Sequence, residues 1–239
     1  MSSSNWNVVD SNEMTFTGHL EELRNRIFKM LIALIAGLFI SYFFIDNIVS
    51  YVTEPAGSLY YLRPAEAFFI YIKVGLVAGM IISSPFIFYQ LWAFIMPAFS
   101  LQGQLKLTFI AVASVVLFVS GLLFSYYLVL PLGLAFFTGF DGQGIQAMIS
   151  MENYVDFVLL MVLPFGIIFE LPLILILGAY LDLITSSLLV QGRRYVIFGS
   201  FVLAAILTPP DVISQVLLAM PMLAMYELSI LFIKYILNR

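Results

Sequence analysis

The sequence predicts an all-α integral membrane protein that crosses the bilayer six times. Three observations carry that prediction. Of 239 residues, 62% are hydrophobic and only 10% charged, with a mean hydropathy of +1.06, well outside the balance of soluble domains. The apolar residues fall into six runs separated by polar segments rich in Gly and Pro. Lys and Arg are also unevenly shared: Arg24, Arg26, Lys29, Lys106, Arg193, Arg194, Lys234 and Arg239 fall on the side of the termini, against Arg63 and Lys73 on the other. By the positive-inside rule both termini are expected in the cytoplasm, which makes this a multi-pass protein of a cytoplasmic (inner) membrane.

Residues 1–17 read as a flexible polar tail with no cleaved targeting signal, and 18–239 as one six-span domain. Leu20, Leu23 and Ile27 recur at helical spacing with charges opposite, which predicts a short amphipathic helix on the membrane surface. Span one is expected over residues 27–45. The turn-rich loop 46–66 contains Pro55 and Arg63-Pro64. Span two covers 67–91, with Lys73 expected to snorkel near its outer end and Pro85 to kink it. Span three, 105–137, amounts to roughly 50 Å of helix against a hydrocarbon core of about 30 Å, so it must tilt, protrude or break near Pro131. Span four covers 154–181. The fifth, 195–207, is short at roughly 20 Å. It ends at Thr208-Pro209-Pro210-Asp211, where Asp211 reads as the helix N-cap of span six, 212–237.

Function is harder to read. There are no cysteines and a single histidine, His19, so neither thiol chemistry nor a histidine-built metal site is expected. The sequence has no zinc-protease, nucleophile-elbow, phosphate-loop or dinucleotide motif, so neither an enzyme nor a cofactor is expected. Three features remain. His19, Glu21, Glu22, Arg24 and Arg26 form either a solvated helix face with local ion pairs or an acidic site for a basic ligand, since a carboxylate holds a guanidinium through charge-assisted bonds. Asp211 is most simply a cap. Glu170 lies between Pro164 and Pro172 in a run otherwise free of charge, where an unpaired charge costs roughly 2.5–3.5 kcal/mol, so a partner, a wet cavity or a proton must offset it. Glu170 and Glu227 together would suit a proton- or ion-coupled small-molecule transporter, the alternative from another functional class. The two halves share no internal repeat, which weighs against that class.

Five motifs in order resemble the TatC family, the multispanning core of the twin-arginine protein translocase. They are His19-Leu20-x-Glu22-Leu23-Arg24-x-Arg26; Ser84-Pro85-x-x-x-Tyr89-Gln90-x-Trp92-x-Phe94-x-x-Pro97-Ala98; Phe124-x-Tyr126 ahead of Pro131; Phe165-Gly166-x-x-Phe169-Glu170-x-Pro172; and Thr208-Pro209-Pro210-Asp211-x-x-Ser214-Gln215. The resemblance implies a receptor and scaffold that binds twin-arginine signal peptides and helps to export folded proteins on the proton-motive force. It further implies helices arranged as a concave wall facing lipid, and homo-oligomers within a larger complex. Its expected partners are twin-arginine precursors, TatA-type single-span proteins and TatB where one exists, with no nucleic acid. Glu22, Arg24 and Phe94 match the family's recognition positions, and Thr208 and Gln215 its partner-docking edge, while Glu170 becomes a polar docking group in the wall. The family's second recognition acid is missing, because this chain has Gly103 there. Glu21 is expected to supply the second charge, with Gln102 and Gln104 as neutral acceptors.

Overall fold

The computed structural model describes residues 16–98, 104–139, 148–207 and 211–237. Its helices are α1 (Phe16–Phe43), α2 (Ile45–Thr53), α3 (Glu66–Ala98), α4 (Gln104–Phe124), α5 (Leu130–Thr138), α6 (Met151–Ile168), α7 (Leu171–Tyr180), α8 (Ser186–Leu207) and α9 (Val212–Tyr235). Six stretches of them are long and apolar enough to cross a membrane. Among the described residues the one β-type pairing is an isolated bridge between Tyr60 and Ser150.

Prolines set where the long spans break. Pro131 cannot donate a backbone N–H, and its ring crowds the carbonyl of Tyr127 one turn back. The chain responds by widening to a π-turn over Ser125–Val129 between α4 and α5, so the over-long third span breaks just ahead of the proline. Pro172 acts likewise on Ile168. Helix α6 stops there and α7 restarts at Leu171, leaving Phe169 and Glu170 in a turn inside the bundle. Pro85 instead lies within the unbroken α3, and Pro55 in a short 3-10 turn, Glu54–Ala56, after α2.

Two expectations about local structure change. The amphipathic segment is no separate surface helix: α1 runs without interruption through it and into the span, because nothing between His19 and Ala36 breaks the helix. Nor does Lys73 snorkel. Its Nζ donates to both carboxylate oxygens of Asp156 at 2.7 and 2.9 Å and lies 3.5 Å from Glu152, which ties α3 to the first turns of α6. The fifth span, α8, has 22 residues and is the shortest of the six. The apolar stretch 195–207 is its C-terminal part, and a polar segment with Arg193 and Arg194 precedes it.

Packing runs α1 on α3, α3 on α4, α4 on α6, α7 on α9, and α9 on α8. The two ends of this open row are the least covered: of an apolar 18-residue stretch in each span, 11% is buried in α1 and 17% in α8, against 28–33% in the other four. Two crossings use one device. A Cβ on Gly37 of α1 would stand 2.4 Å from the Gly79 carbonyl oxygen, and four residues on the buried Ser41 hydroxyl donates to the Gly75 carbonyl at 2.9 Å. A Cβ on Gly121 of α4 would stand 2.3 Å from the Phe165 carbonyl oxygen, and the buried Ser125 hydroxyl donates to the Met161 carbonyl at 3.0 Å. In each pair a Gly-x-x-x-Ser step lets an antiparallel backbone approach and then bonds it, the way helices associate where water supplies no driving force.

Candidate functional site

The charged residues of the first three turns of α1 meet the end of α3. Glu22 Oε1 accepts from Arg26 Nε at 2.9 Å and also from Nη2, an i,i+4 pair. Arg26 Nη1 in turn donates to Oε1 of the buried Gln90 at 3.1 Å. Since Arg26 spends two donors on one oxygen, Glu22 Oε2 is left buried with no hydrogen-bond partner among the described residues. His19 Nδ1 is 3.9 Å from that oxygen, and the His19 ring stacks on Phe94 with centroids 4.6 Å apart and planes 20° from parallel. Glu21 and Arg24 pair at 3.2 Å on the exposed face, both more than 60% exposed. A cleft of about 540 Å³ runs along this end, lined by Gly18, Glu21, Glu22, Asn25, Arg26 and Lys29.

The structure thus brings Glu22 and Phe94 to one place, joined through His19, and sets Glu21 on the same cleft. Arg24 turns to Glu21. Gln102 lies outside the described residues, and of Gln104 only the backbone, at the start of α4, is described. Gln90 was missed as a site residue: in sequence it is one polar side chain in an apolar run, and only the helix phase that sets it one turn before Phe94 marks it as facing α1.

Inside the bundle Glu170 is buried at the α6–α7 turn. Its carboxyl bonds the Ser114 side chain of α4, and Ser114 Oγ accepts from the Trp92 indole N–H of α3 at 2.7 Å. Oε1 of Glu170 has no partner among the described residues. A chain of indole, hydroxyl and carboxyl therefore links three spans and gives the Glu170 carboxyl one of the partners that a polar group in an apolar core requires.

The α8–α9 hairpin carries the remaining candidates. Asp211 caps α9, its Oδ1 accepting from the Ser214 backbone N–H at 2.7 Å. Gln215 Nε2 donates to the Phe201 carbonyl at 2.9 Å and so bridges the two helices. Thr208 lies outside the described residues. Glu227 pairs with Arg193 at 2.7 Å, each about half exposed, so the two acids of the transporter alternative have separate partners.

Fold and site together define a class: a multi-pass helical membrane protein with a charged cluster where α1 meets α3 and a partnered carboxyl within the bundle. Comparison with known proteins narrows this. Residues 18–221 match the family model of the Sec-independent protein translocase protein TatC. The chain is 37% identical over 223 residues to the TatC of Desulforapulum autotrophicum, covering 90% of this chain and 83% of that one. It is 39% identical over 225 residues to the TatC of Aquifex aeolicus, covering 91% and 93%. A crystal structure of a twin arginine translocase receptor TatC, in the detergent DDM, superposes with a TM-score of 0.85 at 39% identity, covering 90% of this chain and 99% of that one. A second crystal structure of such a receptor gives 0.84 at 38% identity, covering 92% and 100%. The chain belongs to the TatC family, the protein translocase components of the Sec-independent system.

Proposed function

We propose that this chain is the receptor subunit of the twin-arginine translocase. It binds signal peptides with paired arginines where α1 meets α3, on the cytoplasmic side, and with TatA-type single-span partners, and TatB where present, it exports folded proteins on the proton-motive force. The observation that carries this reading is the buried Oε2 of Glu22, which has no hydrogen-bond partner among the described residues. A desolvated carboxylate oxygen strongly favours a cationic donor, and a guanidinium fits it through a charge-assisted bond worth roughly 1.5–3 kcal/mol. Arg26 already holds Oε1, so one arginine of the signal completes the carboxylate without expelling Arg26. The stacked pair of His19 and Phe94 offers a flat face for the guanidinium plane. Arg26 and Lys29 repel a cation, and Glu21 on the same cleft offsets them and takes the second arginine in place of the acid that Gly103 replaces. The docking edge for TatA-type helices is the α8–α9 hairpin at Thr208 and Gln215, with Glu170 as a further polar group.

The test is equilibrium binding of a fluorescent twin-arginine signal peptide to the purified protein in nanodiscs. Glu22→Gln and Glu21→Gln should each weaken binding by about tenfold, the equivalent of one charge-assisted bond. Unchanged affinity in Glu22→Gln would remove the basis of the assignment, and unchanged affinity in Glu21→Gln alone would remove only the second arginine's site.

A further inference from the structure

The last turns of α3 face two ways. Gln90 and Phe94, four residues apart, lie on the face toward α1, where Gln90 accepts from Arg26 at 3.1 Å and Phe94 stacks on His19 at 4.6 Å. Trp92 is midway between them, about 200° around the helix from each, so it must project from the opposite face. There its indole N–H meets Ser114 at 2.7 Å, and Ser114 meets Glu170. A single helical turn is thereby bonded on one side to the Glu22 cluster and on the other, through one hydroxyl, to the carboxyl inside the membrane.

We infer that Trp92 and Ser114 are positioning residues that couple occupancy of the Glu22 site to the setting of Glu170. The steps follow from the contacts. A guanidinium bonding Glu22 Oε2 turns the carboxylate that holds Arg26 at Oε1. Arg26 then shifts its donors, and Gln90, whose amide oxygen it shares, shifts with it, as does Phe94 when the new cation enters its stack with His19. Gln90, Trp92 and Phe94 share one turn of backbone, so movement of that turn alters the bond between Trp92 and Ser114. Ser114 can then no longer hold the Glu170 carboxyl as before. Room for this exists: Trp92 borders an apolar cavity of about 350 Å³ whose other walls include Met96, Ile110, Ile174 and Leu177. On the intramembrane side, Glu170 already carries a buried oxygen without a partner among the described residues, and loss of Ser114 leaves the whole carboxyl to be satisfied by a polar group on an incoming helix. Coupling of this kind needs an element with two arrangements that both sites bias; the turn Gln90–Phe94 with its indole is that element. The inference rests on the proposed signal-peptide reading and adds to it the route by which binding is transmitted.

The sequence has two tryptophans, Trp6 and Trp92, so Trp6→Phe leaves Trp92 as the sole indole in the otherwise intact chain. This protein, in nanodiscs, is titrated with a twin-arginine signal peptide free of tryptophan, and with the same peptide carrying a lysine pair. Binding is followed by peptide anisotropy and Trp92 by its emission. The twin-arginine peptide should shift the emission in parallel with binding, and Ser114→Ala, added to Trp6→Phe, should keep binding while losing that shift. Binding without an emission shift would overturn the inference, as would a shift that persists in Ser114→Ala, because it would then report local contact and not the chain to Glu170. Absence of binding would overturn the signal-peptide reading itself, and the two failures are distinguishable. If Ser114→Ala does not fold, infrared difference spectra of the unaltered chain decide. The carboxyl band assigned by its loss in Glu170→Gln should change on adding peptide, and an unchanged band would refute the coupling.

Discussion

Gly121→Ala tests whether the close α4–α6 crossing is what holds the middle of the bundle. The added Cβ would lie 2.3 Å from the Phe165 carbonyl oxygen and 2.9 Å from Phe165 C and from Phe169 Cγ. The shortest of these is about 1 Å inside ordinary contact, and because it meets backbone no side chain can swing aside, so the helices must separate. Separation stretches the Ser125–Met161 bond, 3.0 Å in the native crossing, and draws the α6–α7 turn with Glu170 away from Ser114. Overpacking costs roughly 1–3 kcal/mol, and an interhelical hydrogen bond in a membrane adds about 0.6 kcal/mol. The control is Gly199→Ala on α8, where nothing lies within 4 Å of the new Cβ. That change should be neutral or gain up to about 1 kcal/mol from helix propensity. The assay is reversible unfolding of both variants in mixed micelles with increasing sodium dodecyl sulfate. Equal stability of Gly121→Ala and Gly199→Ala would refute the close-approach account of the α4–α6 crossing.

Lys73→Met should destabilise the protein by about 1–3 kcal/mol, between the limits for exposed and buried pairs, since it leaves Asp156 and Glu152 facing each other without a cation. Adding Asp156→Asn should recover most of that loss in the same unfolding assay, and a double variant no more stable than Lys73→Met would show that the ion pair does not hold α3 to α6. At the hairpin, Gln215→Leu removes the donor to Phe201 together with the polar group proposed to meet a partner helix. Site-directed crosslinking between α9 and a TatA-type protein should drop several-fold while signal-peptide binding holds. Unaltered crosslinking would take Gln215 out of the docking edge.

Span count, the apolar cores of the helices and the isolation of Glu170 were legible in the sequence because each is a property of composition along the chain. A lone carboxylate between two prolines announces itself. Its partners do not: Ser114 is a small hydroxyl residue of the kind that bonds its own helix elsewhere in this fold, as Ser83 and Ser84 do, and only tertiary structure places it between Trp92 and Glu170. Pro131 foretold a break, whereas the one ahead of Pro172 fell in a span read as continuous; whether the chain answers a proline with a π-turn, a tight turn or, as at Pro85, no break at all depends on what packs beside it. The surface helix was misread as separate because polarity changes at Ile27 while backbone preference does not. Lys73 was assigned to snorkelling because its counter-ion lies 83 residues away, at Asp156. At the charged cluster, Glu22 and Phe94 came from motif resemblance, whereas the roles of Arg26, His19 and Gln90 follow from geometry across α1 and α3.

The most direct measurement of the central claim is the affinity of the nanodisc-embedded protein for a twin-arginine signal peptide, compared with the same peptide in which the arginine pair is lysine. A planar guanidinium can bond the buried Glu22 oxygen and lie against the His19–Phe94 stack at once, and an ammonium can do only the first. The account predicts that the lysine pair weakens binding by about tenfold or more, corresponding to the loss of one charge-assisted contact. Equal affinity for the two peptides would contradict it.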